Sequence, residues 1–417
     1  MMVSMTLGDI TTHILLFLSL YFEVFLLLTF IEHRHTITKA KISPEEPEYF
    51  PTITVIVPVW NEEKTLSVTM KSLLSLNYPK DKLSIIAVDD GSTDGTWKAL
   101  QDFSKEPQVS LFKKENGGKY TALNFALEKI KSDLVGCLDA DCSVDTEALR
   151  RIVKKFEDKS VMAVTPSIKI LNPKNPIELV QRAEFAISAF IRYVFGTLNA
   201  QYITPGPLSV FRKSVFDKLG PYKHAYLTED MEIAMRMQKN KMKIANVHNA
   251  YVYTVPQPTV YRMYKQRLRW IYGGMNNLRD YRFMLFTKEY GTLSIFILPI
   301  VAFTLFATMY FIGLIAKTIV VSLADKIIEI QTIGLSYSMP KLHIDWFFLQ
   351  TGSLSVLGLF FISLVLVTIL MGKHIAGERV YIGRDALFYI LLYGIISPFW
   401  FVRAAYNTVF ARKTTWR

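Results

Sequence analysis

Cysteine is almost absent from this chain. Cys137 and Cys142 are the only two in 417 residues, which excludes a disulfide framework and leaves too few thiols for a zinc site. Two thiols beside acidic residues fit a reducing compartment, where they stay free. Metal-spaced histidine is missing as well: His224, His248 and His343 are scattered, and surface or packing roles suit them. No Lys or Arg precedes the first long apolar run, Ile14 to Ile31, and no small-residue cleavage site follows it. The missing cleavage site argues for a retained anchor over a removable signal. The missing cations, against Arg34, Lys39 and Lys41 on the far side, put the N-terminus outside and the following residues in the cytoplasm. Within the run only Glu23 is charged, and an ionisable group there faces either the bundle interior or the interface.

Apolar mass and positive charge are what the chain has in plenty. Hydrophobic residues make up 51%, charged residues 20%, and the net charge is +12; the mean hydropathy is +0.23. The charge is spread unevenly, as in a soluble part joined to a membrane part. Many cations flank apolar segments, where Lys and Arg face the cytoplasm and anionic lipid, so the basic balance implies membrane lipids and no nucleic acid. Further apolar runs cover Thr292 to Leu323, Trp346 to Met371 and Ala386 to Phe401. The first of these exceeds a bilayer's thickness, and tilt or a kink at Pro299 would accommodate it. Lys373, Arg379 and Arg384 place the loop before the last run in the cytoplasm. A complete last crossing would then export Arg412, Lys413 and Arg417, so a re-entrant or interfacial segment hinged at Pro398 is the expectation.

Between residues 50 and 250 the pattern alternates. "ITVIVPV", "LSIIAVDD", "VSLF" and "DLVGCLDAD" read as strands; "EEKTLSVTMKSLLSL", "TDGTWKALQDF" and "KYTALNFALEKI" read as helices, the second capped by Thr93 or Asp94. Regular β-α alternation predicts a mostly parallel sheet with helices on both faces, and ligands bind at the carboxyl ends of such strands. There stand Asn61 and Glu62, then Asp89 and Asp90, then Asp139 and Asp141. "DDGSTDGT" alone is ordinary turn chemistry. In "LDAD" two carboxylates at i and i+2 share one side of a strand, and a hard divalent ion shared with phosphate oxygens is their natural partner.

These motifs resemble, in order, those of the processive membrane branch of family 2 glycosyltransferases, the cellulose, chitin, hyaluronan and poly-N-acetylglucosamine synthases. The resemblance runs through "VIVPVWNEE", "VDDGSTDGT", "ENGGKYTALN", "LDADC", "TPGPLSVFRKSVF", "LTEDMEIAMRM" and "QRLRW". "GPL" (Gly206 to Leu208) is closer to the hyaluronan and chitin synthases, "NGGK" followed by "ALN" to the poly-N-acetylglucosamine synthases. The resemblance implies an α/β GT-A nucleotide-sugar transferase domain inserted between transmembrane helices. It implies a UDP-sugar donor, a glycan acceptor, Mg2+ or Mn2+, and an accessory subunit or homo-oligomer as further partners. Glu62, Asp89 and Asp90 would contact uridine and ribose, Lys119 would lie near the nucleotide sugar, and Asp139 and Asp141 would hold the metal and diphosphate. Asp230 of "TED" would be the catalytic base, although Thr228 before "EDMEIAMRMQK" also suits a helix cap.

The chemistry asks for these residue types. Breaking an anomeric C–O bond loads negative charge on the diphosphate, which a metal can neutralise and an Arg can grip bidentately; the attacking hydroxyl needs a carboxylate base. In "YKQRLRW" a helix would put Gln266 and Trp270 on one face, with Arg269 bordering it. The indole then offers a platform for an acceptor sugar, Gln266 hydrogen-bonds hydroxyls, and Arg269 reaches the diphosphate. Tyr261, Arg262, Tyr264, Lys265 and Arg267 belong to the interfacial half, with Lys265 and Arg267 as anchors. The expected division is an anchor at 1–32, a cytoplasmic GT-A domain at 33–255, interfacial helices with Gln-x-x-Arg-Trp at 256–290, and transmembrane helices with a basic tail at 291–417. The function expected is an inverting, metal-dependent polysaccharide synthase of the cell membrane. A single-transfer enzyme acting on a polyprenyl phosphate or glycolipid is the rival, and a degenerate non-catalytic scaffold is disfavoured because Asp90, Asp139, Asp141 and Asp230 are all present.

Overall fold

The computed structural model describes residues 6–35, 37, 46–334 and 353–412. Lys39, Lys41, His343, the start of the third apolar run at Trp346, Lys413 and Arg417 lie outside them.

The predicted sheet forms. Its strands are β1 (Ile53–Val59), β2 (Leu83–Asp90), β3 (Val109–Lys114), β4 (Leu134–Cys137), β5 (Cys142–Val144), β6 (Val161–Ile170), β7 (Ser209–Arg212) and β8 (Lys243–Thr254). The order is β3-β2-β1-β4-β7-β6-β8-β5. β1, β2, β3 and β4 run parallel, as do β6 and β8; β7 is antiparallel to both its neighbours, and β5 is antiparallel to β8. The β-branched run of β1 explains its central place. Ile53, Val55, Val57 and Val59 are buried in the core on one face, with Leu66, Met70 and Leu73 of helix Leu66–Leu74. Ile56 joins Ala122, Leu123 and Ala126 of helix Lys119–Leu127 in the core on the other. Each such side chain contributes roughly 1.5–3 kcal/mol of burial, and a strand covered on both faces carries no polar stripe.

"DLVGCLDAD" departs from its expected course. The strand stops at Cys137, and Asp139 and Asp141 stand in the short link to β5 rather than on the strand. Helix Pro176–Thr197 follows β6; it opens with Pro at its first position and a reciprocal capping box between Asn175 and Glu178.

Four helices are long and apolar enough to cross a membrane: Leu7–His33, Leu293–Thr332, Ser355–Ile375 and Arg384–Val409. The chain divides into two compact units, one of Met1–Phe25 with Ile300–Val365, the other of Leu26–Pro299 with Leu366–Arg417. In the first, Thr12 Oγ1 lies 2.9 Å from Tyr310 Oη, and the Phe22 and Phe303 rings meet edge to face at 5.3 Å. Glu23 is half-buried there. Pro299 falls in the first turn of helix Leu298–Ile333, after a π-helical turn at Leu293–Ile297, so it makes no mid-helix kink.

In the second unit, the last apolar segment has no break at Pro398. Helix Gly394–Val409 passes through it, directly after a π-helical turn at Tyr389–Tyr393; such a turn shifts the hydrogen-bond register just ahead of the missing proline donor. Trp400, 1% exposed, packs with Met263 and Val180, so this segment is seated on helices Val260–Asp280 and Pro176–Thr197. Lys373 pairs with Asp385, its Nζ lying 2.7 Å from Oδ2. Arg182 Nη2 is 2.6 Å from Glu378 Oε2, tying the preceding loop to helix Pro176–Thr197.

Candidate active site

A cleft of about 1370 Å³ opens at the carboxyl ends of β1, β2 and β4. Glu62, Asp90, Lys119, Asp139, Asp141 and Asp230 border it, and so do Gln266, Arg269 and Trp270. Asn61 and the glycine of "GPL", Gly206, border it as well. Asp89 is the exception: it is 0% exposed and lies behind the turn. Its Oδ1 accepts from the Ser92 amide at 3.0 Å, and Lys113 Nζ stands 4.0 Å from Oδ2.

The strand-end wall is built from backbone. Asp90 accepts from the amides of Gly117 at 3.1 Å and Gly118 at 2.8 Å, and from Lys114 Nζ at 2.6 Å. Gly118 has φ +91°, which a side chain would strain. The "NGGK" turn therefore wraps a carboxylate and delivers Lys119 to the cleft. Lys119 Nζ lies 2.6 Å from Asp139 Oδ1 and 3.3 Å from Glu229 Oε1. Burial works against its charge, but the Asp139 and Glu229 carboxylates outweigh it and hold its pKa well above the ordinary range. Gly206 passes so close that a Cβ there would sit 2.6 Å from both Asp139 Oδ2 and Lys119 Nζ, so a larger residue would displace that ion pair. Asp141 is pushed up to about 6 by burial, with the Asp139 and Glu62 carboxylates adding to it. Glu62 in turn accepts from Thr65 Oγ1 at 2.8 Å.

"TED" is no simple helix cap. Thr228 precedes helix Glu229–Lys239 but makes no side-chain capping bond. Its hydroxyl donates to Ala225 O at 2.9 Å and accepts from Asn277 Nδ2 at 2.8 Å. Gly273, one turn before Asn277, leaves no room for a Cβ against Thr228. Helix Val260–Asp280 is thereby locked onto the segment that carries Asp230. The Asp230 carboxyl is pushed up to about 6 by burial and by Glu229, while Lys119 and Arg269 pull the other way. Before Thr228, Ala225, Tyr226 and Leu227 all adopt positive φ, of 41°, 55° and 67°.

On the helical wall one expectation fails. Arg267 is no exposed anchor but 2% exposed. Its Nε lies 2.9 Å from Glu184 Oε1 and its Nη2 2.5 Å from Glu184 Oε2. The guanidinium stacks on Trp270, 4.2 Å from the ring centroid, and donates to Gln266 Oε1. The reason is tertiary: helix Pro176–Thr197 brings Glu184 against this helix, and a paired charge is held where a lone one would be expelled. Lys265 is exposed over the Tyr261 ring at 4.6 Å, at the border of the cleft. His224 and His248 make ring contacts with Tyr120 and Tyr193, as packing residues do.

Residues 54–220 match the family described as Glycosyl transferase family 2. This is a family 2 glycosyltransferase domain. Relatives of the chain include a poly-beta-1,6-N-acetyl-D-glucosamine synthase of Staphylococcus epidermidis, 28% identical over 68% of each chain. A beta-monoglucosyldiacylglycerol synthase of Synechocystis is 29% identical, over 58% of this chain and 52% of the relative. Among solved structures, a mannosyltransferase of Pyrobaculum calidifontis, in complex with GDP-Man and Mn2+, superposes with a TM-score of 0.51 at 18% identity, over 95% of this chain and 99% of the other. The fold is GT-A, and residues 54–220 carry the family 2 glycosyltransferase domain, for which these synthases are similar proteins. Within the family 2 domain and the helix that follows it, reading the sequence alone misses Glu229 and Glu184. Glu184 left a signal, as the lone charge in "AEFAISAF".

Proposed function

We propose that the protein is a membrane-integrated, metal-dependent, inverting glycosyltransferase that extends a β-linked polysaccharide from a UDP-sugar on the cytoplasmic face. One observation carries this: Gln266, Arg269 and Trp270 border the same cleft as the strand-end carboxylates and Asp230. A Mg2+ or Mn2+ ion fits the donor set, because burial and the neighbouring Asp139 and Glu62 carboxylates push Asp141 up to about 6, a repulsion that a cation would relieve. Asp139 and Asp141 would hold it, and when bound it supplies charge neutralisation for the departing diphosphate. Among the described residues no cluster of three or more ligating side chains is found, and phosphate oxygens of the donor would supply further ligands.

Glu62 and the turn braced by Asp90 form the nucleoside end, with Asp89 bracing from behind. Lys119 stands at the sugar. Asp230 accepts the proton of the attacking hydroxyl as the new anomeric C–O bond forms and the bond to diphosphate breaks. Arg269 draws toward the leaving diphosphate, and the Trp270 indole carries the acceptor ring while Gln266 meets its hydroxyls. Arg267 presses the indole into place from behind.

The test is incubation of the detergent-purified protein with a panel of UDP-sugars and Mg2+ or Mn2+, scoring nucleotide release and product size. Long products are expected, and chelation abolishes them; full activity in excess chelator would overturn the metal assignment. Trp270→Ala should stop elongation and leave UDP affinity intact. A second reading, one sugar placed on a lipid, is favoured by the Synechocystis relative, whose name gives a diacylglycerol product; single-sugar lipid products would establish it instead.

A further inference from the structure

Arg182, Arg192 and Arg267, on the two helices packed beside the cleft, each have the same two-donor edge, Nε with Nη2. Arg182 turns it to Glu378 Oε2, at 2.9 and 2.6 Å. Arg267 turns it to Glu184. Arg192 does not: its Nη1 donates to Ser188 Oγ at 2.8 Å, while Nε and Nη2 are buried with no acceptor among the described residues. Burial pulls this guanidinium down to about 10, so it is still charged at neutral pH. A buried charge edge without a partner is costly, and that edge matches two oxygens of a carboxylate or phosphate.

Its position says which ligand could supply them. Glu184, Ser188 and Arg192 recur every fourth residue along helix Pro176–Thr197, on one face, and all three border the cleft. The neighbouring Tyr193 hydroxyl donates at 2.7 Å to the carbonyl of His33, the last residue of the apolar helix Leu7–His33. Arg192 thus stands where the cleft wall meets the end of an apolar helix.

We infer that Arg192 anchors an acceptor-side oxyanion site, which takes a phosphate group carried either by a lipid or by a soluble molecule. The inference rests on the proposed function only for the statement that this wall serves the acceptor. The test uses the detergent-purified full chain and three probes: dioctanoyl phosphatidic acid, inorganic phosphate and uncharged dioctanoylglycerol, with UDP binding measured alongside. Phosphatidic acid should bind and dioctanoylglycerol should not. Arg192→Gln should weaken phosphatidic acid about tenfold or more, the usual loss for a charge-assisted pair, with UDP affinity unchanged. Tighter binding of phosphatidic acid than of inorganic phosphate assigns the group to a lipid; equal binding assigns it to a soluble anion. Equal binding of dioctanoylglycerol and phosphatidic acid overturns the site, as does unaltered phosphatidic acid binding by Arg192→Gln. Joint loss of UDP binding would move the anion to the donor diphosphate and overturn the acceptor-side assignment. Arg192→Lys keeps the charge without the fork and covers the case in which the glutamine variant does not fold; it too must bind phosphatidic acid more weakly, and unchanged binding counts against the site. An enzyme without transferase activity that still shows this pattern refutes the proposed function and leaves the site standing.

Discussion

On the strand-end wall, Asp90 is held by Gly117 and Gly118, amides of a turn close by in the fold, and Lys119 follows that turn directly. On the helical wall, Arg267 is held by Glu184, 83 residues away in the chain. The first wall is local geometry repeated at successive strand ends, and it places carboxylates wherever a parallel strand stops. The second is a packing solution: two helices and the last apolar segment must meet before Trp270 has a fixed orientation. A charge on the first wall works through what it touches in the cleft, whereas a charge on the second can matter without reaching the cleft's contents.

The largest effect should come from the reacting end. Asp230→Asn removes the proposed general base, with an expected loss on the order of 10²–10⁴ in rate in a protein that should stay folded and bind UDP; near-normal turnover would leave "TED" a purely structural motif. Next comes Arg267→Ala, which strands Glu184. Breaking a fully buried pair costs about 3–5 kcal/mol, and because Glu184 keeps some solvent access (19% exposed) the expected loss is at the low end or just below. Thermal unfolding in detergent would register it, and replacing both partners by apolar residues should restore much of it. A mild loss equal to that of Lys265→Ala would return Arg267 to the membrane surface and dissolve the contrast between the walls.

A smaller effect separates the walls by pH. Asp230 must be ionised to take a proton, and burial with Glu229 raises its pKa to about 6, so kcat should rise with pH and level off above that value. The sign for stability is opposite: between the ordinary carboxylate range and about 6 the folded chain keeps a proton that the unfolded chain releases, so stability falls as pH rises through that window. Glu229→Gln removes the repulsion and should move the kcat inflection to lower pH. An unmoved inflection would assign the titration to another group.

The contrast also explains what could be read from the chain. β1, β2 and β4, with the carboxylates that follow them, were legible because a two-sided buried strand and a polar strand end leave unambiguous local marks. β6, β7 and β8 were not anticipated, since their antiparallel and bulged pairings depend on partners far off in sequence. The helical face of Gln266 and Trp270 was legible from spacing, but the environment of Arg267 was not: spacing tells which residues share a side and says nothing of what lies against it. The hinge expected at Pro398 failed for a related reason, because a π-helical turn beforehand lets the helix run on.

One feature of the base-bearing segment bears on how the protein can vary. Ala225, Tyr226 and Leu227 sit consecutively in the left-handed region, where each residue with a Cβ gives up roughly 1–2 kcal/mol relative to a right-handed helix. In a saturation library, tolerance at these positions should run backwards from that of an ordinary helical turn. Glycine and asparagine would be enriched, valine and isoleucine depleted, and gains in thermal stability would concentrate beside Asp230, the proposed base. Natural drift toward a sturdier chain would then pass through the residues whose geometry positions the base, and selection for activity would hold that route closed.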